Sequence, residues 1–265
     1  MSDKFRVYSP EWFSARDDYV ARVAEGGEFA RVNGNLGRIY GEQWRKWKTE
    51  DGRVVDQLGG LIRSIKGDPN SRRHILSAWN PGELDLAALP PCHVFYQINV
   101  QDGFLDLKMY QRYADIFLGV PFNIESYSAL ASMIAKETGL VPRKFIHTFG
   151  SAHLYVSSGS RAEFYRDNLG WLKSRVLEAK KPEDFLEMKE DLSKRLPSEV
   201  VGGRVIENSE NSFDHVTAMV EQLARVPTSL PRLVMEDKSF FDFTVGDLRL
   251  EGYSPQPVIK RAMAA

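Results

Sequence analysis

The chain of 265 residues contains one cysteine, Cys92, which excludes an intrachain disulfide and any cysteine-based zinc cluster. Neither sign of charge is in excess, with 35 Lys and Arg against 36 Asp and Glu. The electropositive bulk of a general nucleic-acid binder is therefore missing, and no DNA partner is expected. An anionic ligand has to be gripped by a few placed arginines instead. Apolar runs of membrane-spanning length are absent, and the opening "MSDKFRVYSPEWF" has no apolar signal core. These absences predict a cytoplasmic protein with no membrane partner. Repeats and low-complexity linkers are lacking too, so residues 1–265 read as a single domain.

What is present suffices for a substantial core: 43% of residues are hydrophobic and 11% aromatic. "DQLGGLIRSIKGDPNSRR" (56–73) reads as an amphipathic helix ending near Gly67, then an Asp-Pro-Asn turn. "HVFYQINV" (93–100) is rich in β-branched and aromatic residues and reads as a strand. Asp102-Gly103 then favours a tight type I′ turn, and the alternating "LDLKMYQR" (105–112) is the returning strand. "FNIESYSALASMIAKETG" (122–139) reads as a helix with Asn123 at its N-cap and Gly139 at its end. Residues 157–213 differ in character. "RAEFYRDNLGWLKSRVLEAKK" and "PEDFLEMKEDLSKRLP" predict a charged helical hairpin inserted into the domain. Strands are expected again in "FFDFTVGDLRLEG".

The predicted hairpin bears on the lone thiol in "LPPCHVFYQ". With Asp102 and Gly103 at the turn, paired positions sum to about 205, so Cys92 faces Tyr113 and Arg112 lies one step away. A single bulge would bring Arg112 directly across from Cys92. A guanidinium that close favours the thiolate, and arginine also grips phosphate in a bidentate way. One patch could then hold a nucleophile and an anion site. A lone cysteine is otherwise a small buried hydrophobe, and both readings stand on composition alone.

Five segments carry a resemblance: "GNLGRIYGEQWRKW", "DPNSRRHILSAWNPGELDLAALPPCHVFYQ", "YQRYADIFLGVPFNIESYSAL", "HTFGSAHLYV" and "FDFTVGDLRLEGYSPQPVIK". They resemble the thymidylate synthase and pyrimidine nucleotide hydroxymethylase family. The resemblance implies an α/β (α+β) three-layer fold with a central mixed sheet, forming a homodimer through the sheet. It implies transfer of a one-carbon unit from 5,10-methylenetetrahydrofolate to C5 of a pyrimidine nucleoside monophosphate, most simply dUMP, without a metal. By resemblance Cys92 adds to pyrimidine C6, because C5 is a poor nucleophile until a thiolate converts the ring to an enolate. Arg112, with Tyr113 beside it, would hold the 5′-phosphate, joined by Arg72 and Arg73 reaching from the partner subunit. Asn123 would read the base, accepting from uracil N3–H and donating to O4. His153 and Tyr155 would bond the sugar hydroxyl, and His147 would join the network around the base. Asp115 and Gly119 would meet the folate pterin, with Phe29 and the C-terminal Ala265 also on the folate side. His74 and His215 are expected to be structural.

Four departures from the family pattern bear on the product. The chain starts late, so the nearest candidate for the proton-relay glutamate is Glu11 in "PEWFSARDD", which could equally be an ordinary first-turn helix acid. Gly26 and Phe29 stand where a tryptophan pair is expected, so the aromatic wall over the folate is half removed. Tyr113 replaces a serine, and Ser151 replaces an aspartate. A thinned wall should admit water to the exocyclic methylene, so the favoured product is 5-hydroxymethyl-dUMP. Trp171 or Phe164 of the inserted helices could refill the gap. The alternatives are a synthase proper, converting dUMP to dTMP with release of dihydrofolate, and a non-catalytic nucleotide- or RNA-binding relative.

Overall fold

The computed structural model describes residues 10–207 and 209–263, without the Phe13 side chain. In chain order the elements begin with α1 (Pro10–Ala24), α2 (Gly27–Asn33), α3 (Tyr40–Arg45), β1 (Trp47–Lys48), β2 (Val54–Val55), α4 (Gln57–Gly67) and β3 (Ile75–Ser77). There follow β4 (His93–Gln101), β5 (Phe104–Asp115), α5 (Gly119–Thr138) and β6 (Val141–His153). Next come α6 (Ser160–Asp167), α7 (Leu169–Glu178), α8 (Pro182–Arg195), β7 (Val200–Val201), β8 (Arg204–Val205) and α9 (His215–Leu223). The last strands are β9 (Arg232–Met235) and β10 (Leu248–Glu251).

The residues fall into two compact units. One comprises Leu36–His153 and Pro231–Gly252; the other takes in Leu154–Leu230 with the described residues before Leu36 and after Gly252.

The first of these is built on a sheet of order β3-β4-β5-β6. Its first two pairings are antiparallel and β5–β6 is parallel, so the sheet is mixed as expected. The parallel pair requires a crossover, which α5 supplies. Alternation along the strands divides the faces. Tyr96, Ile98, Leu105, Leu107 and Met109 are buried against Leu58, Leu61, Ile62 and Ile65 of α4 and Tyr127, Ala131 and Ile134 of α5. Burying each large aliphatic side chain contributes about 1.5–3 kcal/mol, which makes this layer the unit's main stabilising feature. The opposite face leaves Ile75, Phe95 and Ile146 exposed.

Local chemistry sets the boundaries. Asp56 caps α4 by accepting from Gly59 N–H, and its carboxylate also takes the Arg45 guanidinium. Asp102 and Gly103 both have positive φ, 52° and 80°, as the predicted type I′ turn requires. Gly139 ends α5 in the left-handed conformation, φ 70°.

Three expectations are corrected. Helix α5 starts at Gly119, so Asn123 is not its N-cap but sits inside the helix. The Asp115 carboxylate accepts from Phe117 and Leu118 N–H, which starts the helix early, and Pro121 is tolerated because a first-turn N–H needs no helical acceptor. The stretch from Phe240 to Asp247 forms two short 3-10 turns, and only Leu248–Glu251 is a strand, paired with Arg232–Met235. The Asp247 carboxylate explains this by accepting from Thr244 N–H and Oγ1 and pairing with Lys238. The first predicted helix of residues 157–213 breaks at Asn168, which leaves the helical range at φ −111° and ψ 15° while its side-chain amide and backbone N–H both donate to the Phe164 carbonyl.

In the second unit α6, α8 and α9 supply a core of Tyr165, Met188, Leu192, Val216 and Val220. Trp171 and Phe164 pack against that core, so both are already committed there. Asp214 is fully buried: it caps α9 through Val216 and Thr217 N–H, accepts from Tyr165 Oη and pairs with Arg161 at 2.7 Å.

Candidate active site

The site begins with an irregularity in β4. From Phe95↔Tyr110 to Gln101↔Phe104 the hairpin keeps the register set by the turn, but His93 pairs with Gln111, one step out. The bulge at His93–Phe95 carries that offset to the strand's start, where Arg112 N–H donates to the Cys92 carbonyl at 2.9 Å. The bulge that the register arithmetic left open is present, and it puts Arg112 across from the cysteine.

The bulge takes the Cys92 and His93 N–H groups out of the ladder, and a side chain takes them up. Tyr40 Oη accepts from Cys92 N–H at 2.9 Å and from His93 N–H at 3.4 Å. The Val94 carbonyl accepts from Ala78 N–H at 2.9 Å and Trp79 N–H at 3.3 Å. Trp79 in turn lies under the Arg112 guanidinium, 5.4 Å from ring centroid to Cζ. The guanidinium donates to the carbonyls of Pro91, at 3.0 Å from Nε, and Pro90, at 2.9 Å from Nη2. These bonds fix the fork beside the half-buried Cys92 without using all of its donors. Behind it β6 must come close: a Cβ on Gly150 would lie 2.8 Å from the Arg112 carbonyl oxygen, so only glycine fits there.

Tyr40 is the functional residue that the sequence reading passed over. It lies in the quoted "GRIYGEQW", but nothing local marks its hydroxyl as the partner of a strand some fifty residues on. Burial is the chief cause that raises its pKa, so it stays protonated near neutrality. With two N–H groups donating to its oxygen, its own proton is available to a thiolate or a bound ligand.

Asn123 is half-buried beside this corner. Asn123 Oδ1 is shielded from water and has no hydrogen bond of good geometry among the described residues. His93 stacks on Tyr40 at 5.0 Å and meets the edge of Tyr127 at 5.2 Å. Burial lowers the His93 pKa, and the neighbouring Asn123 amide offsets part of this. Gly119 and Asp115 adjoin the same amide: a Cβ on Gly119 would lie 3.5 Å from Asp115 Cβ and 3.7 Å from Asn123 Oδ1.

His147 Nε2 donates to Gln111 Oε1 at 2.8 Å, and Gln111 Nε2 donates to the Tyr113 carbonyl at 2.9 Å. His153 lies with its ring on Tyr113, centroids 3.8 Å apart. Arg72 and Arg73 are exposed in the turn after α4. Thus Cys92, Arg112, Tyr113, Asp115, Gly119, Asn123 and His153 share one compact unit with Arg72 and Arg73. Glu11, Phe29 and Tyr155 belong to the other. Glu11 is in the first turn of α1; Phe29 is edge-on to Tyr19 with the Arg22 guanidinium 3.8 Å from its ring; Tyr155 packs edge-on against His215. Ala265 lies outside the described residues. Among the described residues there is no group of three His, Cys, Asp or Glu side chains fit to hold a metal ion, and no helix long and apolar enough to cross a membrane.

Burial, and then His93, push the His147 pKa down to about 4. An unfolded imidazole titrates near about 6.5, so the folded state favours the neutral ring. The resulting stability is present above about pH 6.5 and is lost as pH falls through the folded value. Denaturant melts at pH 7.5, 6 and 5 should show this decline. His147→Gln should flatten it in part, the remainder coming from His93, whose pKa moves in the same direction.

Comparison with known proteins fits this geometry. The sequence model of the family described as thymidylate synthase matches residues 11–265. The thymidylate synthase of Listeria monocytogenes serotype 4b (strain CLIP80459) is 42% identical over 246 residues, covering 92% of this chain and 60% of the relative. That of Listeria innocua serovar 6a (strain ATCC BAA-680 / CLIP 11262) is 41% identical over 246 residues with the same coverage. The chain therefore spans about 60% of the length of the curated relatives it matches. From a match that runs through both compact units and takes in the thiol, the arginine opposite it and the amide beside them, the chain belongs to the thymidylate synthase family.

Proposed function

We propose that this chain transfers a one-carbon unit to C5 of dUMP and forms dTMP. The observation that carries the reading is the bulge that holds the Arg112 fork and the Tyr40 hydroxyl at the Cys92 corner. The Cys92 thiolate adds to C6 of the pyrimidine, forming an S–C bond and moving the ring's electron pair onto O4. Asn123 holds that enolate by donating to O4 while its Oδ1 accepts from N3–H. Arg112 supplies its unused donors to the 5′-phosphate. Tyr40, kept protonated by burial, donates toward the sulfur or the base and limits stray charge at the corner.

The cosubstrate is 5,10-methylenetetrahydrofolate, and Asp115 suits it: a pterin presents N–H donors, and a carboxylate beside a glycine accepts them without a side chain in the way. The folate supplies the carbon and, for a methyl product, the hydride as well, leaving as dihydrofolate. The hydroxymethyl product expected from the thinned aromatic wall draws no support from relatives that are named thymidylate synthase.

Two assays test the chemistry. Given dUMP and methylenetetrahydrofolate, the protein should yield dTMP and dihydrofolate in equal amounts, and Cys92→Ser should abolish turnover while retaining nucleotide binding. Tetrahydrofolate with 5-hydroxymethyl-dUMP would establish the other branch, and substantial turnover by the serine variant would end the covalent mechanism. Asn123→Asp exchanges donor for acceptor and should shift preference from dUMP toward dCMP by roughly tenfold to a hundredfold, the cost of a mismatched buried polar pair. An unchanged dUMP to dCMP ratio would remove Asn123 from base reading.

A second copy of the chain is the proposed partner. The exposed Ile75, Phe95 and Ile146 on the sheet face away from α4 and α5 support a homodimer through that face, with Arg72 and Arg73 serving the neighbour's phosphate. Arg72→Ala, Arg73→Ala chains and Cys92→Ala chains should each be inactive. An exchanged equimolar mixture should regain about a quarter of wild-type activity, because half of the dimers then hold one complete site. No recovery would keep those arginines in their own subunit's site.

A further inference from the structure

Tyr113 and His153 are diagonal neighbours on adjacent parallel strands: β5 pairs Tyr113 with Ser151, and Asp115 with His153. Residues two apart share a face, so the two rings can meet. They do so closely, with centroids 3.8 Å apart and planes tilted by 34°. His153 Nδ1 lies 3.3 Å from the Ser151 carbonyl oxygen. A carbonyl offers no proton, so the nitrogen that bonds it carries the hydrogen, and the lone pair falls to Nε2. Tyr113 itself is 42% exposed and belongs to neither buried core, and its ring lies on the imidazole.

We propose that Tyr113 is a positioning residue, a ring platform that holds His153 in the Nδ1–H form so that Nε2 accepts a hydrogen bond from the nucleotide's 3′-hydroxyl. The inference rests on the dUMP reading, since a 2′-deoxynucleoside 5′-phosphate has only that one sugar hydroxyl to offer. It gives the tyrosine that replaces a serine a task different from phosphate binding. A serine could bond an anion at this position but could not stack on the imidazole.

The test compares Tyr113→Phe, which keeps the platform, with Tyr113→Ser, which removes it. Binding of dUMP and of 2′,3′-dideoxyuridine 5′-monophosphate is measured by titration calorimetry, and KM and kcat are measured for dUMP. The phenylalanine variant should keep the wild-type ratio of dUMP affinity to dideoxynucleotide affinity. The serine variant should bind dUMP about tenfold more weakly, with KM rising more than kcat falls, the size expected when one sugar hydrogen bond is lost. Its affinity for the dideoxynucleotide should stay within about twofold of wild type, because that ligand never makes the bond. Nitrogen NMR of the His153 ring should report an unprotonated Nε2 at pH 8 in the wild type and the phenylalanine variant, and a tautomer mixture in the serine variant. If dUMP binds the wild type but the serine variant weakens both nucleotides alike, or neither, the positioning role is overturned alone. A wild type that binds no dUMP overturns the functional reading and this inference with it.

Discussion

The bulge in β4 is the constraint on which the candidate site depends. It inserts one residue into an otherwise regular hairpin, and the unsatisfied backbone groups that result recruit the site's members. Cys92 and His93 N–H draw in the Tyr40 hydroxyl, and the Cys92 carbonyl takes Arg112 N–H. Without the bulge Arg112 would sit one register step away from Cys92. The guanidinium would then lose its two proline carbonyls and the Trp79 ring.

Around this corner the electrostatics favour neutral partners. Burial holds His93 and His147 below the ordinary imidazole range and keeps Tyr40 protonated. The fixed positive charge at the corner comes from Arg112, so a bound anion would meet it with few competing positive charges nearby. Asn123 joins this arrangement, its side chain bonding to the His93 ring and offsetting part of the effect of burial there.

The other compact unit invests in charge differently. Arg161 bridges the buried Asp214 and Glu199, while Arg261 bonds the Asp214 carbonyl and Thr217 Oγ1. Buried ion pairs contribute little net stability, yet losing one partner leaves an uncompensated charge. The cluster thus fixes the start of α9, where Ser212 and His215 also bond the Ala262 backbone.

The sequence by itself determined most of the local architecture, since local rules act within a few residues. Period-two alternation specified β4 and β5, Asp102-Gly103 their turn and hence the register, and Gly139 the end of α5. The resemblance of the quoted segments likewise marked Cys92, Arg112 and Asn123 before any coordinates. Tertiary structure decided what depends on partners distant in the chain. It chose the bulge over a continued regular register, because Tyr40 was there to satisfy the freed Cys92 and His93 N–H groups. It moved the start of α5 to Gly119, because the Asp115 carboxylate reaches back-to-back N–H groups that periodicity does not register. It also brought the Tyr113 and His153 rings together. A propensity reads one residue's surroundings along the chain, whereas a parallel strand pair joined through a whole helix sets neighbours that no local pattern encodes.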